Sequence, residues 1–277
     1  MDTSGYQTHW HADEISGNIA GNPDTAFIFY AWDRLVQLSA AEGNPGRVID
    51  ISCGNARDVT KLSQMGWEAV GMDPSVQQLQ DAQKATKEAG EQVHLVRGVA
   101  EFLPFKEDVF DSLICKSALD HYVDRDQAMG ECSRVVVPEG RAVVSANNYG
   151  GLTVRGSRLG YRLVRVLWPP ARKMHFTWDS PVPWQHTYEC TFANTRDLGK
   201  PHFDVVEQYG VSLLWGFPGW GRFLSLLPYA IRRLLLRGPH EIGRRLPQLA
   251  DVCVFVWRPK PKSEPATKPA RTIRRRA

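Results

Sequence analysis

Two acidic residues, Asp50 and Asp73, each end a short run of apolar residues. The residues that follow the first acid are small: Ser52, Cys53, Gly54, Asn55 and Ala56. Small residues let a ligand approach the backbone closely, because no bulky side chain stands in its way. A carboxylate at the end of the next strand can accept two hydrogen bonds from a ribose diol. The spacing therefore predicts a site for a ligand that contains a nucleoside.

The same stretch argues against a dinucleotide. A dinucleotide fingerprint needs the pattern G-x-G-x-x-G, so that the pyrophosphate can lie at a helix N-terminus. Here Gly54 is the one glycine between Ser52 and Arg57, and Arg57 stands where the third glycine would be. Asp50 would repel a pyrophosphate and attract an ammonium. S-adenosylmethionine has an ammonium, a sulfonium and a ribose diol but no phosphate, so the site chemistry favours it over NAD.

Five segments of the chain resemble the class I methyltransferases, in particular the small-molecule group that includes the ubiquinone-type C-methyltransferases. They are the strand and turn at 48–56, the strand end at 70–75, the Gly-Val-Ala-Glu-Phe-Leu-Pro-Phe segment at 98–105, the strand and loop at 110–122, and the segment 131–141. Together they cover about residues 45–146, in the family's order. The resemblance implies an enzyme that transfers a methyl group from S-adenosylmethionine to a small, apolar or amphipathic acceptor.

The resemblance also implies which residues hold the cofactor. We expect it to contact Asp50, Ser52, Cys53, Gly54, Asn55, Asp73, Pro74, Ala100, Glu101 and Lys116. The acid that commonly faces the adenine amino group in the family is replaced by Val99. The adenine would then depend on backbone groups near Ala100, together with Glu101. No metal is expected, because the histidines, cysteines and acids show no metal-binding spacing.

A general base is needed only if the acceptor is a hydroxyl or an acidic carbon, since the sulfonium already provides a good leaving group. His121 lies in the loop after the fourth strand, where the family's loop meets substrate, and His186 follows the first insertion. For each histidine a structural role is an equal alternative. The loop has no Asn-Pro-Pro-Tyr motif, which argues against nucleic-acid adenine or protein glutamine as the acceptor.

Other classes of function stay open at this point. A non-catalytic protein that binds S-adenosylmethionine could use its basic segments as a scaffold to dock a partner or an anionic membrane. A degenerate domain that no longer binds cofactor is a further alternative. A nicotinamide-dependent oxidoreductase is disfavoured by the missing glycines.

Alternating strands and helices position these residues. The predicted strands are 47–52, 67–72, 92–97, 110–115, 140–146, 203–209 and 251–257, and the predicted helices are 24–41, 57–65, 75–89 and 124–135. Alternation of this kind predicts an α/β fold with a Rossmann-like seven-stranded sheet, mostly parallel, and helices on both faces. The family resemblance implies that the last strand is antiparallel to the rest.

The predicted organisation divides the chain into seven segments. They are an N-terminal helical segment (1–46), a cofactor-binding core (47–150), a basic amphipathic insertion (151–184), a core continuation (185–210), an apolar and basic insertion (211–249), the last core strand (250–258) and a basic tail (259–277). Parallel strands end at the edge of the sheet where such folds bind ligands, so both insertions are expected to stand over the active site.

The two insertions combine arginines with large apolar side chains. Arg155, Arg158, Arg162 and Arg165 share one predicted helical face, and Leu159, Leu163, Val166 and Leu167 share the neighbouring one. Prolines and interior arginines make a membrane-spanning helix a poor interpretation of the second insertion. One hypothesis is a basic amphipathic surface that contacts an anionic membrane and takes a lipid-like acceptor. The alternative is an ordinary lid whose apolar residues are packed and whose arginines are solvated.

Charge and cysteine usage complete the expectations. The chain has a net charge of +4, but the tail from Arg258 to Ala277 carries +7, which leaves about −3 for residues 1–257. The tail is predicted to be disordered and no specific nucleic-acid partner is expected. The five scattered cysteines are typical of buried free thiols in a reducing compartment. Because no signal peptide is visible, we expect a cytoplasmic protein. The membrane hypothesis for the insertions would place it at the periphery of a membrane.

Overall fold

The computed structural model describes residues 22–173, 178 and 188–261 of the 277-residue chain. Its strands are β1 (Arg47–Asp50), β2 (Glu68–Asp73), β3 (Val93–Arg97), β4 (Phe110–Lys116), β5 (Val136–Asn147), β6 (Phe203–Val211) and β7 (Val252–Pro259). Its α-helices are α1 (Pro23–Ala40), α2 (Arg57–Ser63), α3 (Val76–Glu88), α4 (Arg125–Val135), α5 (Leu152–Leu167), α6 (Phe192–Gly199), α7 (Trp220–Ser225) and α8 (Tyr229–Arg245). Short 3-10 turns cover Leu119–His121 and Pro169–Lys173.

All seven strands form one sheet in the order β3-β2-β1-β4-β5-β7-β6. The pairs from β3 to β5 are parallel, whereas β7 runs antiparallel to both β5 and β6. The predicted fold class, including the antiparallel last strand, is confirmed. The strand order reverses between β1 and β4, and ligands of such sheets bind outside the carboxyl ends of the strands at that point.

The sheet separates two apolar clusters. Neighbouring residues of one strand enter opposite clusters: Val48 packs on the side of Ile28, Trp32 and Val36 from α1, whereas Ile49 packs on the other side. Strands buried on both faces read as continuous apolar runs, which explains the Val-Ile sequence before Asp50. The site residues are therefore held by strands that solvent cannot reach from either face.

Two helices that begin at the carboxyl edge, α3 and α4, have side-chain caps. The Ser75 hydroxyl accepts from the backbone of Gln78 at 3.3 Å and starts α3 two residues after Asp73. The Asp124 carboxylate accepts from the backbone of Gln127 at 3.0 Å and starts α4. Such caps satisfy amide groups that have no partner inside the helix. The two caps fix where the loops after β2 and β4 end.

Most predicted elements lie within a few residues of the observed ones, and the exceptions are the start of β5 and the unpredicted helices α6, α7 and α8. Strand β5 begins at Val136 instead of residue 140, because Val136 already pairs with Phe110 before the register shifts at Ser112. Helix α6 was not predicted; it follows a capping box of Thr191 and Asn194. The predictions for residues 1–21, for His186 and for the tail beyond residue 261 lie outside the described residues.

The cysteine prediction is confirmed, since all five cysteines are buried and free. Among the described residues, no helix combines the length and the apolar character needed to cross a bilayer. That part of the chain also groups no three His, Cys, Asp or Glu side chains in a metal-binding arrangement.

Helix α8 is seated directly on the segment after β6 through Gly243. A Cβ on Gly243 would lie 2.7 Å from the carbonyl oxygen of Ser212, whereas a Cβ on Gly156 of α5 would meet no atom within 4 Å. We expect Gly243→Ala to lower the free energy of unfolding by about 1–3 kcal/mol through overpacking. The matched Gly156→Ala should raise it by up to about 1 kcal/mol through helix propensity. Urea unfolding measures both values, and equal stability of the two variants would contradict this packing.

Candidate functional site

The turn between β1 and α2 forms the floor of the site. Gly54 adopts a left-handed φ of +50°, and its backbone N–H donates to Asp73 Oδ2 at 3.0 Å. The other oxygen of Asp73 accepts from the N–H of Ser75 at 2.8 Å. Burial raises the pKa of Asp73, and the two backbone hydrogen bonds oppose that rise. Each carboxylate oxygen still has acceptor capacity, which suits the two hydroxyls of a ribose.

Asp50 at the end of β1 is a buried carboxylate, only 2% exposed. Its Oδ1 accepts from the N–H of Ser52 at 3.2 Å, and no ion pair in the described part of the chain includes it. Burial raises its pKa to about 8, with a further rise from Asp58, while the Ser52 N–H and the charge of Lys116 lower it. An ammonium placed here would stabilise the charged carboxylate, so the site fits the amino group of S-adenosylmethionine.

Tyr122 joins the turn to the loop after β4. Its hydroxyl lies 2.8 Å from Ser52 Oγ and 3.3 Å from Cys115 Sγ, and its side chain is buried. Ser52 also donates to the carbonyl of Ile51 at 2.8 Å. Sequence reasoning quoted Tyr122 only as part of the loop. Its role in holding Ser52 depends on a contact across seventy residues, which no local pattern reveals.

The side chain of Cys53 is buried and packs against β2. Its Sγ packs so closely on Gly71 that a Cβ there would lie 2.9 Å from it, and the backbone N–H of Cys53 donates to Met72. With its side chain packed in this way, the predicted contact of Cys53 with the cofactor would use its backbone. Asn55 is exposed and Pro74 is half-buried, both beside the turn.

The carboxylate of Glu101 has backbone partners within the chain. It is 1% exposed, and its Oε1 accepts from the N–H of Val123 at 2.9 Å and of Asp124 at 3.4 Å. The carboxylate thus ties the segment after β3 to the start of α4. A contact of its side chain with the adenine stays a prediction. The backbone around the buried Ala100 remains the candidate for that contact.

Lys116 belongs to a charged cluster behind the turn. Its ammonium pairs with Asp33 of α1 and with Asp58 at 2.9 Å. Asp33 also pairs with Arg57 at 3.0 Å, and Gln37 donates to Asp58 at 2.8 Å. Burial lowers the pKa of Lys116, but the two carboxylates outweigh it and raise that pKa. Two carboxylates engage its ammonium, and a contact of Lys116 with the cofactor stays a prediction.

This cluster explains the arginine in the turn. Arg57, where a dinucleotide fold would have a glycine, fastens the turn to α1 through Asp33. The sequence contains a signal for this role, because Asp33 is an acid beside the apolar face of α1 that Trp32 and Val36 form. In the structure Asp33 is only 5% exposed. Sequence reasoning missed this signal.

His121 lies in the 3-10 turn after β4, with its side chain 15% exposed. Its Nε2 is 3.6 Å from Asp120 Oδ1, a distance too long for a hydrogen bond but close enough for electrostatic attraction. Asp120 is itself buried. A histidine next to a carboxylate is the combination used by a general base and the acid that orients it. The pair lies in the loop after β4, the strand beside β1.

A row of aromatic rings extends from α1 across the carboxyl edge. The rings, in order, are Trp32, Phe29, Trp215, Trp178 and Tyr149, with neighbouring centroids 5.4–6.2 Å apart. We call them the aromatic row. The row begins near the charged cluster, since Lys116 Nζ lies 5.7 Å from the Trp32 ring. The buried Nε1 of Trp178 has no hydrogen-bond partner among the described residues.

Two buried acids hold the segment that carries Trp215. Asp251 accepts from the N–H of Trp215 at 2.9 Å, and Asp24 accepts from the N–H of Gly216 at 3.1 Å. Burial raises the pKa of each acid to about 7. The start of α1 and the start of β7 thus fix one end of the aromatic row. Sequence reasoning placed this segment in an insertion and did not identify the acids.

Comparison with known proteins gives the family of the central segment. Residues 49–144 match the family model described as a methyltransferase domain. The chain is 34% identical over 96 residues to the uncharacterized methyltransferase YcgJ of Bacillus subtilis, covering 34% of this chain and 38% of that protein. It is 30% identical over 115 residues to the demethylmenaquinone methyltransferase of Thermus thermophilus, covering 41% of this chain and 52% of that protein. The matches confirm the predicted family resemblance, and the predicted cofactor agrees with it.

These matches span only about 38–52% of the length of the two relatives. Structural similarity extends further. The crystal structure of YcgJ covers 84% of this chain and 100% of its own, with a TM-score of 0.53 and 17% identity. The structure of the [4+2]-cyclase SpnF covers 83% of this chain and 81% of its own, with a TM-score of 0.56 and 17% identity. At such identities the similarity shows the fold alone.

The pKa of Asp50 gives a testable pH dependence. The protonated carboxyl must lose its proton to accept an ammonium, so binding of S-adenosylhomocysteine should tighten as pH rises towards 8. Because the pKa is about 8, affinity should increase about tenfold between pH 6 and pH 7, where the ligand's amino group stays charged. Isothermal titration measures this slope. Asp50→Asn should bind more weakly and with a flatter slope, and an unchanged slope would contradict the assignment.

The ribose assignment predicts a loss of affinity in Asp73→Ala. Losing charge-assisted contacts to the diol should weaken binding of S-adenosylhomocysteine at least about tenfold, measured by titration. The matched control is Asp204→Ala, which removes an exposed acid at the far edge of the sheet and should bind normally. Circular dichroism checks that both variants are folded. Normal affinity in folded Asp73→Ala would remove this residue from the site.

Proposed function

We propose that this chain, whose residues 49–144 form a methyltransferase domain, is an enzyme that transfers a methyl group from S-adenosylmethionine to a small, apolar or amphipathic acceptor. The observation that carries the proposal is the pair of buried carboxylates, Asp50 and Asp73, on either side of the Gly54 turn. The first fits an ammonium and the second fits a ribose diol. The turn between them lacks the G-x-G-x-x-G pattern that a dinucleotide pyrophosphate needs.

Residues of the chain divide the binding between them. Asp50 would hold the amino group, Asp73 the ribose hydroxyls, and the backbone from Ser52 to Asn55 the middle of the molecule. Pro74 and the backbone at Ala100 would flank the adenine. When bound, S-adenosylmethionine supplies a methyl group on a sulfonium that leaves readily. Much of the rate can then come from positioning the acceptor in line with that methyl group.

The aromatic row is the proposed wall of the acceptor site. It brings rings from α1, from the segment after β5 and from the segment after β6 to the carboxyl edge, where the loop with His121 also lies. Aromatic side chains favour flat or apolar ligands. If the acceptor is a hydroxyl or an acidic carbon, His121 takes its proton while the freed electron pair attacks the methyl carbon. The sulfur keeps the electrons of the broken bond.

A non-catalytic protein that binds S-adenosylmethionine is the second candidate. The matches to methyltransferases do not favour it, but the fold by itself does not require methyl transfer, since a structural neighbour of this chain is described as a [4+2]-cyclase. Retention of both carboxylates would suit either candidate. A readout of transferred methyl groups is needed to separate them.

The cellular location belongs to the same proposal. We propose a cytoplasmic protein that contacts an anionic membrane at its periphery and takes a lipid-like acceptor. Support comes from the exposed apolar and arginine side chains of α5, which follows β5 at the carboxyl edge.

The test incubates the full chain with S-adenosylmethionine labelled in its methyl group and with a cell extract divided into lipid-soluble and water-soluble fractions. We expect label in a small molecule of the lipid-soluble fraction, and at least about tenfold less with Asp73→Ala. Parallel titrations should show binding of S-adenosylhomocysteine and none of NADH. A protein that binds S-adenosylhomocysteine but labels nothing would favour the non-catalytic candidate, and binding of NADH alone would contradict both.

A further inference from the structure

Helix α5 has two apolar faces, and only one is covered. Its buried side consists of Thr153, Val154, Ser157 and Tyr161, and Val154 packs with Tyr149 and Trp178 of the aromatic row. The opposite side carries Leu152, Leu159, Leu163, Val166 and Leu167, which are 51%, 60%, 57%, 70% and 82% exposed. An ordinary surface helix has one apolar stripe that faces the core and a polar face outside. The outward stripe of α5 is therefore unexplained by the packing of the described residues.

Cations border this outward stripe. Arg155 and Arg162 are exposed and lie along one side of it, one helical turn from its leucines. Neither α5 nor the 3-10 turn that follows, through Lys173, contains an Asp or Glu. The surface is thus apolar along its centre and positive at its border, although residues 1–257 together carry about −3.

Arg158 does not belong to that border. Its guanidinium pairs with Glu189 at 2.7 Å and donates to the carbonyl of Trp178 at 2.7 Å. It also lies 5.8 Å from the centroid of Tyr149. The sequence grouped Arg158 with the other arginines of α5, but the structure directs it inward, where it holds the aromatic row. Two classes of arginine therefore share one helix.

The stripe has the dimensions of an interfacial element. Sixteen residues of α5 extend about 24 Å at 1.5 Å per residue, which suits a helix that lies in the plane of a membrane surface. Trp168 follows directly and is 53% exposed. Tryptophan is enriched at the level of lipid headgroups. The helix is too short and too charged to span a bilayer, and no other described helix is long and apolar enough to span one.

We infer that the outward stripe of α5 docks the protein on an anionic membrane, with its leucines in the headgroup–acyl boundary and with Arg155 and Arg162 on lipid phosphates. Charge decides this occupant over a second copy of the chain. Two stripes pressed together would bring arginines towards arginines, and α5 offers no acid to pair with them. Anionic lipids supply the missing negative charge beside an apolar phase.

Docking by α5 would also orient the site. The helix starts immediately after β5, whose carboxyl end belongs to the cofactor edge, and its first N–H donates to Leu249 before β7. Its inner face contributes Val154 beside the aromatic row. A lipid-like acceptor could then pass from the membrane to the row along one helix, a consequence that rests on the proposed function. The membrane contact itself requires no cofactor.

The experiment measures co-sedimentation of the full chain with vesicles. One set is phosphatidylcholine alone, and the other is phosphatidylcholine and phosphatidylserine at about 3:1, both at low ionic strength, where surface charges are weakly screened. We expect binding to the anionic set only. We expect the partition coefficient on anionic vesicles to fall at least about tenfold in each of two double variants, Arg155→Glu/Arg162→Glu and Leu159→Ser/Leu163→Ser.

A matched control separates this surface from the basic tail, which all variants share. Lys84→Glu/Lys87→Glu makes the same change in net charge on exposed positions of α3, which packs on β2 and β3. It should weaken binding less than about twofold, since a charge reversal there leaves the stripe intact. Circular dichroism and titration with S-adenosylhomocysteine verify that each variant keeps its fold and cofactor site.

Three outcomes would overturn the inference. If wild-type protein stays in the supernatant with both vesicle types, the outward stripe of α5 does not dock on a membrane. A Lys84→Glu/Lys87→Glu protein that loses as much affinity as the α5 arginine variant would assign binding to overall charge. An unaffected Leu159→Ser/Leu163→Ser protein would exclude the stripe. Because none of these readouts uses methyl transfer, each leaves the proposed activity to be judged separately.

Discussion

The carboxylate of Asp73 is the constraint on which the site depends. Its two oxygens take the backbone N–H groups of Gly54 and Ser75, so one side chain joins the turn after β1 to the end of β2 and the start of α3. The left-handed backbone of Gly54 brings its N–H to that position. A carboxylate held by two backbone donors cannot rotate freely. Its remaining lone pairs therefore point in fixed directions, and a ribose diol is a ligand whose two hydroxyls fit that geometry.

Buried charge is distributed unevenly around this turn. Lys116 is neutralised by Asp33 and Asp58, and removing one partner from such a buried pair costs about 3–5 kcal/mol. Asp50, only a few residues away in the chain, has no such partner in the described residues, and burial raises its pKa. The protein thus balances the charges that hold α1, α2 and β4 together, whereas Asp50 and Asp73, at the ends of β1 and β2, have no cationic partner among the described residues. A cationic or hydroxyl-bearing ligand at this edge would supply the partners that these two carboxylates lack.

The backbone layout could be predicted from sequence because its signals are local. Apolar runs that end at Asp50 and Asp73, followed by small residues and by helix caps, specify strands and turns without distant information. The roles of Glu101, Lys116 and Cys53 could not be predicted, since each depends on which residue lies opposite in space: the start of α4, the acids of α1 and α2, and Gly71. Likewise, periodicity grouped the arginines of α5, but only the position of Glu189 separates Arg158 from its neighbours.

The most direct measurement of the central claim is a crystal structure of the protein with S-adenosylhomocysteine. The account predicts the amino group of the ligand within hydrogen-bond distance, about 3 Å, of the Asp50 carboxylate and both ribose hydroxyls on Asp73. The homocysteine chain should cross the Gly54 turn, and the sulfur should face the aromatic row. A ligand bound away from the carboxyl ends of β1 and β2, or a diol that leaves Asp73 unengaged, would contradict it.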